Sequence, residues 1–182
     1  MSISLFRSAF VRVAVAFVAL CLLSGAALDE DALPLHEKLE QLRPFLAITW
    51  KGDLSDPGSK LRRFDVVRYD RTLNGEVIRM LHSINDGDLG GEMVIRYNEA
   101  AKRVEYHYFT SAGFLTTGSI RFNGRAFVAE DDEQAGQVPM RMERRIKGDR
   151  MISKTQMFRD GGWTRGTEQF YVAAPEEKIR YR

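Results

Sequence analysis

Four dipeptides constrain this chain more than anything else in it. Asn74-Gly75, Asp86-Gly87, Asn123-Gly124 and Asp160-Gly161 each separate runs rich in Val, Ile, Thr and aromatic residues. Asn-Gly and Asp-Gly accept the positive φ that a tight hairpin demands, so each marks a reversal between antiparallel strands. Two less specific breaks, at 98–102 and at Lys147-Gly148-Asp149, extend the series. The chain then divides into about ten segments, roughly 47–54, 64–73, 76–84, 91–97, 103–110, 114–122, 125–131, 139–147, 150–159 and 163–172.

Consecutive hairpins predict an up-and-down meander. Ten strands in one open sheet would expose two edges and leave a face uncovered, and closing the sheet into a barrel removes both problems. A sandwich competes, but it usually needs long crossovers and these loops are short. Only one helix is expected to help: Leu33-Pro34 opens it, Leu35, Leu39 and Leu42 fall on one face at helical spacing, and Pro44 stops it. The expected fold is therefore all-β, an antiparallel up-and-down barrel of about ten strands with one short N-terminal helix.

Residues 1–27 read differently. Arg7 and Arg12 precede the apolar run Val13 to Leu23 and the small residues Ser24-Gly25-Ala26-Ala27, with no acid among them. That order is a secretory signal peptide, and the apolar run is too short to span a bilayer. Leu20 before Cys21 is too bulky for a lipid-modification site. Cleavage leaves 155 of the 182 residues as a single domain, 28–182, expected in the periplasm or secreted, with no integral membrane anchor. The two arginines lost with the signal take the formal charge from +2 to 0, so net charge makes no case for nucleic acid or an anionic membrane, and any such case has to rest on local patches. Cys21, the only cysteine, leaves as well, and neither disulfide nor thiolate metal site remains.

Period-two alternation assigns an interior. Val104, Tyr106, Tyr108 and Thr110 share one face, as do Met140, Met142, Arg144 and Ile146; so do Met93, Ile95 and Tyr97, and so do Ala126, Val128 and Glu130. The segments 150–159 and 163–172 do not sort by this rule. The candidate ligand-binding residues are Tyr106, Tyr108, Glu130, Arg144 and His82, polar groups among Met, Val and Ile. Equally, Arg144 and Glu130 can pair inside and the tyrosines can bond the backbone, as buried polar groups usually do. His82 can serve as a general base if it faces the cavity, or it belongs to a turn in which Asn85 and Asp86 bond their own backbone. None of His36, His82 and His107 stands at metal-ligand spacing from another, so no metal and no cofactor is expected. Gly87-Asp88-Leu89-Gly90-Gly91 precedes a strand and reads as hairpin flexibility, Trp50 and Trp163 as packing, and Lys178 to Arg182 as a frayed tail.

The short helix, the first strand Thr49-Trp50-Lys51-Gly52 and the hairpin meander resemble the calycin superfamily of lipocalin-like barrels. His82-Ser83-Ile84-Asn85-Asp86-Gly87, Gly90-Gly91-Glu92 and the stretch from Tyr108 to Gly118 look like a family of uncharacterised exported bacterial proteins with such a barrel. The chain departs from the lipocalin Gly-x-Trp at Ile48, which stands where the glycine should be. Haem-binding nitrobindin-like barrels use a late histidine, whereas the last here is His107, so the resemblance implies no haem.

Three functions fit this reading. The first is an exported binding module enclosing a small apolar or amphipathic molecule, which requires an apolar cavity. The second is an enzyme of the same fold using His82 or Glu130 as acid or base, which requires a titrating group shifted toward neutrality inside that cavity. The third is an interaction protein of the cell envelope, with a filled barrel and an exposed apolar patch. The oligomeric state is left open by the sequence.

Overall fold

The turn residues adopt the geometry their chemistry allows. Asp160 and Gly161 take φ of 53° and 76° and close a two-residue hairpin, while Asn74 and Gly75 take 54° and 93° in a four-residue one. The structure, a computed structural model, describes residues 33–56 and 58–182. The expected export signal, residues 1–27, lies outside them.

Eleven strands follow: β1 (Thr49–Asp53), β2 (Phe64–Thr72), β3 (Val77–Ile84), β4 (Leu89–Asn98), β5 (Arg103–Thr110), β6 (Leu115–Asn123), β7 (Ala126–Asp131), β8 (Met140–Lys147), β9 (Arg150–Arg159), β10 (Gly162–Trp163) and β11 (Thr167–Ala173). Each of β1 to β9 pairs antiparallel with the next. β11 then pairs with both β9 and β1 and closes a ten-stranded barrel. The two-residue β10 is an outgrowth on the end of β9. It arises because the expected segment 163–172 is broken at 164–166, where Gly166 presses against the Thr155 carbonyl and a Cβ would lie 2.5 Å from it.

The N-terminal helix is present but differs in kind. Glu37–Phe45 is a 3-10 helix, and its buried residues are Leu39, Leu42 and Phe45. A 3-10 helix has three residues per turn, so that spacing stacks all three on one face, which the 3.6-residue reading through Leu35 did not anticipate. Pro44 lies inside the helix rather than ending it, and the His36 side chain caps its start by accepting from Lys38 N–H at 3.1 Å.

That apolar face plugs one end of the barrel. Phe45 meets Phe127 edge-on at 5.1 Å and Tyr69 at 5.8 Å, above a buried floor that includes Trp50, Val67, Ile78 and Ile95. The other end is hollow. Its rim is formed by the β1–β2, β3–β4, β5–β6, β7–β8 and β9–β10 connections.

Two expectations are corrected here. On β7 the inward face is Phe127, Ala129 and Asp131; Glu130 points outward and pairs with Arg121 at 2.8 Å. A one-residue shift of parity exchanges the faces of a strand, and the bulk of Phe127 decides it, since only that parity fills the space under Phe45. The C-terminus is not frayed either. Arg180 N–H reaches Ser83 Oγ at 3.4 Å, Tyr181 OH donates to the Gly91 carbonyl at 3.2 Å, and Arg182 pairs with Asp88 at 3.1 Å. Gly90, opposite the Tyr181 ring, has no Cβ to obstruct it.

Candidate functional site

The hollow half encloses a cavity of about 520 Å³. That is within the range of pockets that hold small organic molecules. Its wall is rich in thioether: Met80 faces its cross-strand neighbour Met93 deep in the barrel, Met140 faces Met157 near the mouth, and Met142 lies below that pair. Five of the seven methionines in the chain line this one space. Methionine is flexible and polarisable, so such a wall adapts to apolar shapes rather than dictating one.

Interleaved with these methionines is a connected polar layer, built residue by residue from the alternation. Asp65, Val67 and Tyr69 share the inner face of β2, and Asp65 is its polar member. Asp65 accepts from Tyr171 OH at 2.9 Å through Oδ2 and meets His82 Nδ1 at 3.0 Å through Oδ1. An acceptor at Nδ1 places the proton there, which leaves Nε2 to accept from Tyr108 OH at 2.7 Å. His82 therefore faces the cavity and orients a phenol that lines it. Asn85 does not bond its own turn; its side chain accepts from Phe64 N–H at 3.0 Å and ties the β3 end to β2.

Glycine makes this layer possible at two places. A Cβ on Gly91 would stand 2.6 Å from the Tyr108 ring and 2.8 Å from His82 Nε2. On Gly118 it would stand 2.4 Å from Tyr106 OH. Bare backbone at both positions lets each tyrosine lie flat across its neighbouring strand. The glycines read from sequence as hairpin flexibility are, at Gly90-Gly91, positions of close approach.

Burial pushes the Tyr108 phenol up to about 12, with the Asp65 charge adding to it, so it stays protonated at neutral pH. Tyr106 and Tyr171 are raised further, burial again first and their carboxylate partners second. Tyr106 donates to Asp131 Oδ1 at 2.5 Å, and Met140 N–H donates to Oδ2 at 2.9 Å. Burial raises the Asp131 carboxyl, and the neighbouring Asp132 and Glu130 charges add to this; together they outweigh those two hydrogen bonds.

Arg144 is the cation of the site. It is buried, donates through Nε to Ser153 Oγ at 3.3 Å and through Nη1 to Tyr69 OH, and sits over the Tyr69 and Tyr171 rings at 5.7 and 5.8 Å. Burial works against its charge, but Tyr69, Tyr171 and Asp65 more than offset that. Among the described residues no carboxylate pairs with it directly, and Nη2 has no hydrogen-bond partner on the cavity side. The expected alternative, an internal Arg144–Glu130 pair, is excluded by the outward turn of Glu130.

Of the five residues proposed from sequence, the structure brings Tyr106, Tyr108, His82 and Arg144 to one cavity and places Glu130 outside it. Asp65, Asp131, Tyr69 and Tyr171 were missed. Asp65 and Tyr69 were legible as same-face partners on β2, and Asp131 was lost with the parity of β7. Among the described residues no group of three or more His, Cys, Asp or Glu is arranged to hold a metal ion. None of their helices is long and apolar enough to cross a membrane.

The fold and this cavity define a closed ten-stranded antiparallel barrel with one plugged end and one open end. No protein-family model matches the chain, and no curated protein matches it.

Proposed function

We propose that this chain is an exported, lipocalin-like carrier of one small amphipathic molecule. The ligand's apolar body lies against the methionine wall, and its polar end, an acceptor or anion, lies at Arg144. The observation that carries this reading is a buried guanidinium with no carboxylate partner at the floor of an apolar cavity. Tyr69, Tyr171 and the nearby Asp65 charge already offset the burial of this cation, and a ligand carboxylate or comparable acceptor at Nη2 supplies the direct counter-ion that it lacks. Tyr108, held by His82, supplies a second polar contact beside it.

Native mass spectrometry of the protein recovered from its export compartment, with organic extraction of any bound mass, tests this. A discrete small acid or acceptor that is lost on Arg144→Met supports the carrier. A bare chain mass from several growth conditions overturns it.

A second reading draws on a specific observation: the cavity holds both a carboxyl raised by burial, Asp131, and an Asp65–His82–Tyr108 chain. Such a pairing of acid and base suits proton transfer to and from a bound molecule. Deuterium appearing at carbon in the extracted molecule, when it is incubated with protein in heavy water, favours the enzyme over the carrier.

A further inference from the structure

The open rim carries apolar side chains that a soluble barrel has no internal use for. Leu61 on the β1–β2 connection is 79% exposed and Phe114 on the β5–β6 turn is 64% exposed. Val138 precedes β8, and Phe158 lies at the end of β9; both are exposed as well. These residues come from four separate connections and converge only because the barrel points all four in one direction, around the cavity mouth. At the plugged end the exposed large apolar residue is Leu73; on the barrel wall Phe170 and Val172 are exposed, and Phe109 and Leu115 face each other across β5 and β6 beside Phe114.

Charge on the rim is unevenly placed. Lys60, Arg62 and Arg63 lie on the β1–β2 connection, and Arg141, Arg159 and Arg165 surround the β9–β10 hairpin. Against them in this arc stand Asp56, Asp160 and Asp53, which pairs with Arg62, and on the adjoining β7–β8 connection Asp132 and Glu133, of which Asp132 is taken up by Arg103. The two basic connections neighbour each other around the mouth, because β11 alone separates β9 from β1. The same arc holds Trp163, with the Arg141 guanidinium 4.5 Å above its ring, and Phe158 packed edge-on at 5.4 Å. A tryptophan beside arginines, flanked by single apolar tips, is the composition of a surface that sits in lipid headgroups. Phe109 and Leu115 widen the apolar tip at Phe114, yet the apolar groups stay divided among four connections around a hole, where a protein partner would favour one contiguous flat patch.

We infer that the mouth rim docks onto an anionic lipid bilayer, with Leu61, Phe114 and Phe158 entering the interface and the basic arc facing lipid phosphates. The cavity then opens directly against the membrane, and an amphipathic ligand passes between bilayer and barrel without crossing water. The loading role rests on the carrier reading; the docking itself does not.

The test is co-sedimentation of the purified full-length soluble protein, its mass fixing where the chain begins, with vesicles of phosphatidylglycerol and phosphatidylethanolamine. Phosphatidylcholine vesicles give the neutral comparison. The expected result is binding to the anionic vesicles that weakens with salt and falls about tenfold in Leu61→Ser/Phe114→Ser. Leu73→Ser and Phe170→Ser, equally surface changes, leave it unaltered, and circular dichroism checks the fold of each variant.

Absence of binding overturns the inference, as does binding to which the rim variant makes no difference. So does a dimer in sedimentation that Leu61→Ser dissolves, since the rim would then face a second copy. A protein that sediments with vesicles yet never yields a bound mass breaks the carrier reading and leaves the docking surface standing.

Discussion

The two halves of this barrel are made of the same strands and solve opposite problems. In the plugged half, Phe45, Tyr69 and Phe127 meet at 5.1 to 6.3 Å under a helix whose apolar residues repeat every third position. In the open half the same strands, one or two residue pairs further on, present Met80, Met93, Met142 and a layer of bonded polar groups around empty space. A jigsaw core sets the stability; a soft wall interleaved with a rigid polar layer leaves room to accommodate something else. The candidate site of this molecule lies where packing stops.

Truncation should break the symmetry of that comparison most visibly. Phe127→Ala removes a ring in contact with two others in a site that cannot collapse, and should cost about 3–5 kcal/mol. Met142→Ala enlarges a void that already exists and should cost about 1 kcal/mol, with probe binding changing more than stability. Urea unfolding of both variants checks this; equal losses would mean the upper half is as tightly packed as the lower.

The polar layer should respond to added bulk instead. In Gly118→Ala the new Cβ would begin 2.2 Å from the Glu130 carbonyl and 2.4 Å from Tyr106 OH. Backbone of β7 and the Tyr106 ring must both give way, at about 2–3 kcal/mol. The same substitution at Gly124, a turn with open space around it, serves as comparison, its positive φ being the only strain. If Gly118→Ala proves no worse than Gly124→Ala, the close tyrosine approach is not what Gly118 is for.

How legible each half was in the sequence follows from the same physics. Strand number and order were readable because Asn-Gly and Asp-Gly turns act locally, and Met140, Met142 and Arg144 were assigned inward because their neighbours Arg141, Glu143 and Arg145 leave no choice. β7 offered a choice, since Ala126-Phe127-Val128-Ala129 is apolar on both parities, and the wrong face drew in Glu130. Tyr171 was out of reach because its strand is interrupted at Gly166, which restarts the register. Asp65 found its role only through Tyr171 and His82, partners 106 and 17 residues away, and no local pattern encodes such a meeting.

A smaller effect separates the halves by pH. Asp131 has its carboxyl raised in the folded state by burial, so its contribution is fully present below its unfolded value and is lost as pH rises through the folded value. Asp131→Asn removes that titration. Relative to the wild type, the variant should gain stability as pH climbs above the usual carboxylate range, and the two curves should converge in acid. Thermal unfolding from pH 3 to 8 reads the difference; curves that run parallel would place the ionised carboxylate comfortably in its site.

The smallest effect concerns the tail that braces the open half from outside. Tyr181 covers Gly90, and Arg180 and Arg182 pair with Asp86 and Asp88, exposed ion pairs of little individual worth. Ending the chain after Lys178 should therefore cost about 1 kcal/mol, most of it from the tyrosine ring. Its location is more telling than its size. Hydrogen exchange should quicken along 82–92, where the tail lies, and remain slow at the 73–76 hairpin and along the Leu39, Leu42, Phe45 face that seals the other end. A loss of protection spread evenly over both ends would show that the barrel opens as one unit, and that the boundary between its packed and hollow halves is a feature of shape without a counterpart in local stability.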